Sequence, residues 1–550
     1  MQLNKVDFKK YIVVILFFSG LLYTFQISIK RQINNNNIEW KRNVFGDGAG
    51  YYSYLPFTFI YNYKSENLPE NLEQKTGYGF YLENDKIRTK YTSGVAILQS
   101  PFFLLIHCIE KFKNKNADGF FGLYHYVPFI AAWFYALLGL FFLFLFLRNF
   151  ISLNSSIISL ALIFWGTNLY YYVIEYASMS HVYSFFLFSS FIYCSYLFHQ
   201  YNKLKHFAFV TISAALIVLI RPTNILHIPL FFITDVLVNK KLKLNNYLTA
   251  KHIGIALAAF VVIFSPQIIY WMYLSGKPFY YSYEKESFSN WASPILKEFL
   301  FSPNNGLFSY NPVWLILLLS AILLIIKKDV WAVSILLLTS VIIFLGASWH
   351  DWTFGCSYGS RTLIEYTALF ALPAGVFIDK LIQYKNIIVK TSIGLIITTF
   401  VLVNIQLTQK YERCFFGSNN WDWHYYNYLL RPWGYSKTEE FVNPTFTNAE
   451  FIGSLNITKN ETDNFSYHLK VTAEAGFEIT EENTEIYLVL ATEGSNDDIN
   501  YQWPINKWNK TATNYAILPP KGGNWENCKL YIWNKSLSDI KVNYLKIKVE

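Results

Sequence analysis

Apolar runs of roughly helix-spanning length recur through the first three quarters of the chain, separated by short polar stretches. The candidate spans are 11–29, 122–147, 155–173, 182–199, 206–220, 223–238, 253–273, 313–326, 330–348, 362–382 and 388–406. Most approach the ~20 apolar residues that a bilayer core demands of a helix. The runs at 206–238 form a tight hairpin that turns at "RPTN", where Pro222 breaks the helix. "SGVAILQSPFFLLIHCIEKF" (93–112) is apolar too, but Pro101, His107 and Glu110 suit an interface-lying or re-entrant helix better than a lipid-buried one. From about residue 407 the pattern changes to alternation of polar and apolar positions. "NFSYHLKVTA", "EIYLVLA", "NCKLYIWN" and "DIKVNYLKIKV" read as strands, punctuated by turn signals such as "TEGSNDD" and "PPKGGN". The last run changes phase near Tyr544–Leu545, which predicts a bulge. The pattern thus predicts a mainly α, polytopic bundle of about 11 spans over 1–406, an aromatic connector at 407–440, and a β-sandwich at 441–550.

Composition sharpens this picture. Of the 550 residues, 53% are hydrophobic, 19% aromatic and only 15% charged, against a usual charged share of about 25%. The net charge of +9 does not point to nucleic acid, because the basic residues form no stripe interleaved with exposed aromatics. They gather instead at one set of span ends: Lys9, Lys10, Arg148, Lys203, Lys240, Lys327 and Lys380 among them. Basic loops mark the cytoplasmic side, so the N-terminus is expected inside and the β-domain outside. The first apolar run is too long for a cleaved signal peptide and reads as a retained anchor. Three outer segments are long or unusual, 30–121, 274–312 and 349–361, and function is expected there. The five cysteines, Cys108, Cys194, Cys356, Cys414 and Cys528, have no metal-ligand spacing. Cys356 and Cys414 share a compartment in this topology, which permits a disulfide, although free thiols are the expectation.

The outer segments carry the candidate chemistry. "FGDGAGYYSYLP" (45–56) sets Asp47 between two glycines, with Tyr51, Tyr52 and Tyr54 following. Asp-Gly is a common turn signal. The same carboxylate, on a backbone that lets a substrate approach closely, can also serve as a base that takes a proton from a hydroxyl acceptor. The tyrosines offer flat amphipathic surface at headgroup level. "SWHDWTFGCSYGSR" (348–361) brings His350, Asp351 and Arg361 into one loop. A guanidinium at the mouth of a helix bundle can grip a phosphate; the alternative is a tryptophan anchor, with Arg361 paired to Glu365 one helical turn on. Arg221, at the apex of the hairpin, is a second phosphate ligand or a snorkelling anchor. "EYASMSH" (175–181) adds Glu175 and His181 to the outer face, and "FSPNNGLFSYNP" (301–312) is a shaped turn with no catalytic group. His350 and Asp351 alone do not make a metal site. Nucleotide-cradling, HExxH and GxSxG patterns are missing, so no cofactor is expected and a metal is unsupported.

Taken in order, "FGDGAGYYSYLP", "KYTSGVAILQSPFF", "SMSHVYSFF", "RPTN", "FSPNNGLFSYNP" and "FGCSYGSRTLIEY" resemble bacterial membrane glycosyltransferases of the GT-C type, over about residues 1–406. That group includes the protein O-mannosyltransferases and the lipid A aminoarabinose transferases. The resemblance implies a polyprenyl-phosphate sugar donor, a lipid, glycan or protein acceptor, and an inner-membrane enzyme acting on its outer face. By position it makes Asp47 the general base and Arg361, with Arg221, the ligand of the donor phosphate. Tyr51, Tyr52, His181, His350 and Asp351 are then expected around the substrate. Many relatives carry a second acid beside the first, where this chain has Gly48. The rival readings are a ligase or polymerase of lipid-linked glycans, and a non-enzymatic transporter or flippase. The ionisable residues at span ends, and the lack of an internal repeat, weigh against transport.

Overall fold

The computed structural model describes residues 8–36, 38–113, 117–283, 286–411, 423–430, 437–458, 469–481, 484–493, 500–505, 511–518 and 527–549. The chain divides into two compact units, Met1–Phe415 and Phe416–Glu550. The first is helical and the second is built on β-strands. The expected connector at 407–440 does not stand apart: the helix Ile387–Lys410 runs through its start. Much of the connector, including Cys414, lies outside the described residues, as do the turns "TEGSNDD", beyond its first two residues, and "PPKGGN".

Seven helices among the described residues are long and apolar enough to cross a bilayer: Tyr11–Asn35, Gly94–Phe112, Gly122–Leu147, Ser180–Tyr201, Ala250–Ser275, Val330–Ser348 and Ile387–Lys410. Their outer faces support that reading. Leu257, Val261, Val262 and Ile269 on one helix, and Leu395 and Leu402 on another, are exposed, an arrangement that water would penalise and lipid would not. The 93–112 segment, expected at the interface, forms one 19-residue helix whose Gln99, His107 and Glu110 are buried against protein.

Several expected spans are shorter or interrupted, each for a visible reason. The run at 155–173 splits into Leu153–Gly166 and Leu169–Ile174. Thr167 leaves the helical conformation, and Asn404 donates to the freed carbonyls of Trp165 and Thr167 at 2.8 and 2.9 Å. A break at membrane depth survives only where other groups satisfy the backbone in this way. The run at 223–238 is a 3-10 turn, Pro222–His227, followed by the short helix Leu230–Asn239. The expected span at 362–382 begins as a 3-10 turn, Arg361–Leu363, and becomes α-helical only at Thr367.

The long segment 30–121 is ordered by an aromatic core. Tyr52, Phe57, Phe80, Phe103, Phe120 and Tyr124 are buried together there, each worth on the order of 1.5–3 kcal/mol of apolar burial. A small hairpin, β1 (Tyr81–Glu83) and β2 (Lys86–Arg88), crosses the loop. After it the chain is pinned by the helix Ala250–Ser275: the Thr89 amide donates to the Tyr270 hydroxyl at 2.8 Å and the Ser93 amide to Gln267 at 2.7 Å.

The second unit is the expected sandwich. Its strands are β3 (Lys437–Thr447), β4 (Phe451–Thr458), β5 (Leu469–Ile479), β6 (Ile486–Glu493), β7 (Asn500–Ile505), β8 (Thr511–Leu518), β9 (Asn527–Asn534) and β10 (Ile540–Val549). They form two four-stranded sheets in the orders β3-β10-β5-β8 and β4-β9-β6-β7. Alternate residues of both sheets, such as Leu488, Leu490, Leu530 and Ile532 against Val471, Phe477 and Val542, share one core. β10 shifts register between Val542 and Leu545. This bulge returns Leu545 and Ile547 to the core after Ile540 and Val542, which is the phase change visible in the sequence.

Candidate functional site

Asp47 does not sit on a loose turn. It opens a six-residue helix, Asp47–Tyr52, entered through Gly46 at φ 54°, a conformation that costs glycine little. The next glycine answers a steric need. A Cβ at residue 48 would come within 2.2 Å of Ser178 Oγ and 2.3 Å of the Asn43 carbonyl. A second acid beside Asp47 is therefore excluded by packing against the "YASMSH" turn. On the other side, the Tyr51 hydroxyl donates to Ser180 at 3.3 Å.

The structure brings Asp47 and Arg361 together across 314 positions of sequence. Both terminal nitrogens of Arg361 donate to Asp47 Oδ2 at 3.4 Å. The side chains keep 34% (Asp47) and 16% (Arg361) of their surface accessible, so the pair lines an open site. The guanidinium lies 5.7 Å over the Phe354 ring. Burial pushes the Asp47 carboxyl up, but Arg361, a hydrogen bond from Tyr91 and the charge of Lys90 together hold it below the usual carboxylate range. Burial also opposes the charged form of Arg361; Asp47 more than offsets that and raises it above the ordinary value.

Tyrosines surround this pair. The Tyr51 and Tyr91 rings pack against each other with centroids 4.2 Å apart and planes tilted by 37°. Burial raises the Tyr51 hydroxyl and the pull of Arg221 opposes it, with smaller influences from Asp47 and Arg361; Tyr51 is thus within electrostatic reach of both arginines. Tyr283, from the segment 274–312, is pushed up by burial and also feels Tyr51, Arg221 and Asp47. Lys90 is held at 2.8 Å by Glu286 of the same loop.

Arg221, with 20% of its side-chain surface accessible, caps a second cluster whose His181 and Glu365 are closed off. Its guanidinium lies 2.9 Å from His181 Nδ1 and 3.5 Å from Glu365 Oε1. His181 Nδ1 is also 3.0 Å from Glu365 Oε2, and one ring nitrogen serves a donor or an acceptor, not both at once. Asn224 donates to Glu365 Oε1 at 3.0 Å, and Tyr366 donates to Asn224 at 3.0 Å. The anticipated Arg361–Glu365 contact one helical turn apart is replaced by these bonds, because the chain is not yet α-helical at residue 361.

Other expected residues fall elsewhere. Tyr52, expected around the substrate, is fully buried in the aromatic core and donates to the Gly119 carbonyl at 2.8 Å. His350 is exposed, with its ring 4.9 Å from that of Trp349. Asp351 accepts from the Thr353 amide and hydroxyl within its own turn. Glu175 pairs with Arg31. Cys356 is disulfide-bonded, against the expectation of a free thiol, while Cys108, Cys194 and Cys528 are free. Among the described residues no group of three or more His, Cys, Asp or Glu side chains converges as metal ligands would. Sequence reasoning named Glu365 only as a partner of Arg361, and missed its place with Arg221 and His181; it missed Tyr91 and Tyr283 altogether. A carboxylate inside an apolar span was the available signal for Glu365; nothing local marks the two tyrosines.

No protein-family model matches the chain, and no curated protein sequence matches it. Among solved structures it is similar to the oligosaccharyltransferase AglB of the archaeon Archaeoglobus fulgidus, in complex with an inhibitory peptide and a dolichol-phosphate. The TM-score is 0.42, with 13% identity over 78% of this chain and 60% of that one. The apo form of an Archaeoglobus fulgidus oligosaccharyltransferase gives 0.37, with 14% identity over 74% and 55%. This chain thus aligns with about 60% of the length of the solved enzyme, and at such low scores the functional reading rests on the site itself.

Proposed function

We propose that the chain is a membrane glycosyltransferase that moves a sugar from a polyprenyl-phosphate donor to a hydroxyl acceptor on the outer face of the membrane. The observation that carries this reading is the contact between an accessible carboxylate and an accessible guanidinium, Asp47 and Arg361, in a tyrosine-lined site at the ends of apolar helices. Arg361 binds the donor phosphate, with Arg221 nearby through Tyr51. The phosphate takes Arg361 away from Asp47, and the freed carboxylate becomes a stronger base. Asp47 then accepts the acceptor's hydroxyl proton, the acceptor oxygen bonds to the anomeric carbon, and the bond from that carbon to the phosphate oxygen breaks. The phosphate leaves with the electron pair, its charge met by Arg361, and attack from the opposite face inverts the configuration. Tyr283, which is only partly buried, provides a ring face on which a sugar can stack.

Mass spectrometry of glycolipids and glycoproteins from cells with and without the protein tests this reading. A glycosylated product is expected with the native chain and is expected to vanish with Asp47→Asn at equal protein level in the membrane. A product that persists with Asp47→Asn overturns it.

A further inference from the structure

The turn "FSPNNG" carries no group that could do chemistry, yet one of its residues governs the loop that presents Arg361. Asn305 is 2% exposed and sits at φ 58°, in the left-handed region that Asn tolerates better than most residues. Its amide nitrogen donates to the carbonyls of Thr353 and Gly355 at 3.0 and 3.4 Å. These two carbonyls flank Phe354, the ring beneath the guanidinium. Its amide oxygen accepts from the Gly359 amide at 3.2 Å and from the Tyr411 hydroxyl at 3.3 Å. Its own backbone carbonyl shares with that of Phe299 the hydroxyl of Ser360, each at 3.2 Å, one residue before Arg361. One buried side chain therefore ties the stretch bearing Phe354 to the stretch bearing Arg361, using all of its polar capacity inward.

We infer that Asn305 is a positioning residue that sets the Arg361 guanidinium against Asp47, acting through the 353–360 loop and never touching substrate. For the transfer reaction this rests on the function proposed above; the placement of Arg361 does not. Asn305→Gly is the cleanest variant, because glycine keeps the left-handed backbone and the bond to Ser360 while removing all the side-chain bonds. Asn305→Asp keeps the two acceptor contacts and loses the two donor contacts.

The experiment has two readouts on the full-length chain. The first is a double-mutant cycle on melting temperature in detergent, with Asp47→Asn and Arg361→Gln, run in the native background and again with Asn305→Gly. A small non-additivity, of the size an accessible ion pair gives, is expected in the native background and is expected to disappear with Asn305→Gly. The second is transfer in isolated membranes against pH. Asn305→Gly is expected to lower the rate on the order of 10²-fold, as misplacement of a reacting group by about an ångström does. It should also move the acid limb of kcat/KM for the donor upward, because Asp47 loses Arg361 while Tyr91, Lys90, Tyr51 and Tyr283 stay around it. A purely structural role would lower the amount of folded protein and leave the limb in place. Unchanged coupling between Asp47 and Arg361 in Asn305→Gly overturns the inference even if the chain transfers no sugar. If Asn305→Gly does not fold, Asn305→Asp decides, with partial coupling expected and full coupling overturning.

Discussion

Two ionic clusters lie within electrostatic reach of Tyr51, and they are built to opposite standards. In the first, Asp47 and Arg361 meet at 3.4 Å, and both guanidinium contacts fall on one carboxylate oxygen. In the second, Glu365 and His181 retain 0% and 1% of their side-chain surface, and both Glu365 oxygens are engaged by close partners. The accessible pair is poorly saturated and open to exchange. The closed cluster leaves no room for a competitor at Glu365. A site that must release and recapture an anion needs the first kind of contact, and a scaffold that must hold an arginine in a fixed place needs the second.

The sharpest way to break this comparison is to remove one carboxylate from each cluster. Asp47→Asn is expected to lower transfer by ~10²–10⁴-fold, the usual worth of a positioned base, while shifting melting temperature little, since accessible ion pairs contribute about 0–1 kcal/mol. It is also expected to tighten binding of polyprenyl phosphate, because Arg361 no longer has a carboxylate to leave; weaker binding would show that the two do not compete. Glu365→Ala should do the reverse. It strips the closed His181 and the partly accessible Arg221 of their shared carboxylate, and breaking a buried pair costs ~3–5 kcal/mol, read as a large fall in melting temperature. A smaller contrast separates neighbouring tyrosines. Tyr52→Phe leaves the Gly119 carbonyl without its donor, costing roughly 1–3 kcal/mol of stability with transfer per folded molecule unchanged. Tyr51→Phe should lower transfer with little loss of stability, since its hydroxyl makes only a 3.3 Å bond to Ser180. Equal behaviour of the two variants would erase the distinction between site and scaffold.

The comparison also explains what could be read from the chain. Asp47 and Arg361 were legible because each carries charge where the local pattern is apolar or glycine-rich, and charge there needs a reason. The strand "NCKLYIWN" and the bulge in the last strand were legible because a two-residue period is a local property. The break at Thr167 was not, because it depends on Asn404, more than two hundred positions on. Glu365 was visible as a charge, but its partners were not: the i to i+4 argument assumed a helix that starts only at Thr367. Asn305 had no signal beyond its place in a turn, since all four of its side-chain bonds reach residues at least 48 positions away. Contacts made across the fold leave little trace in periodicity.

The finest test of the accessible pair is its titration. Asp47 is held below the usual carboxylate range, chiefly by Arg361 working against burial. Its contribution to stability is accordingly present above the unfolded pKa and lost as pH falls through the lower folded value. In the free enzyme the acid limb of kcat/KM for the donor reports that depressed value, whereas the limb of kcat reports Asp47 with the donor bound. If the phosphate draws Arg361 away, Asp47 exchanges a cation for a neighbouring anion, and the limb of kcat lies at higher pH than that of kcat/KM. In Arg361→Gln the cation is gone from the start, so the limb of kcat/KM should rise toward that of kcat and the gap should narrow. Two limbs that coincide in the native chain would mean that Arg361 keeps its grip on Asp47 throughout turnover, and the accessible pair would then be as fixed as the closed one.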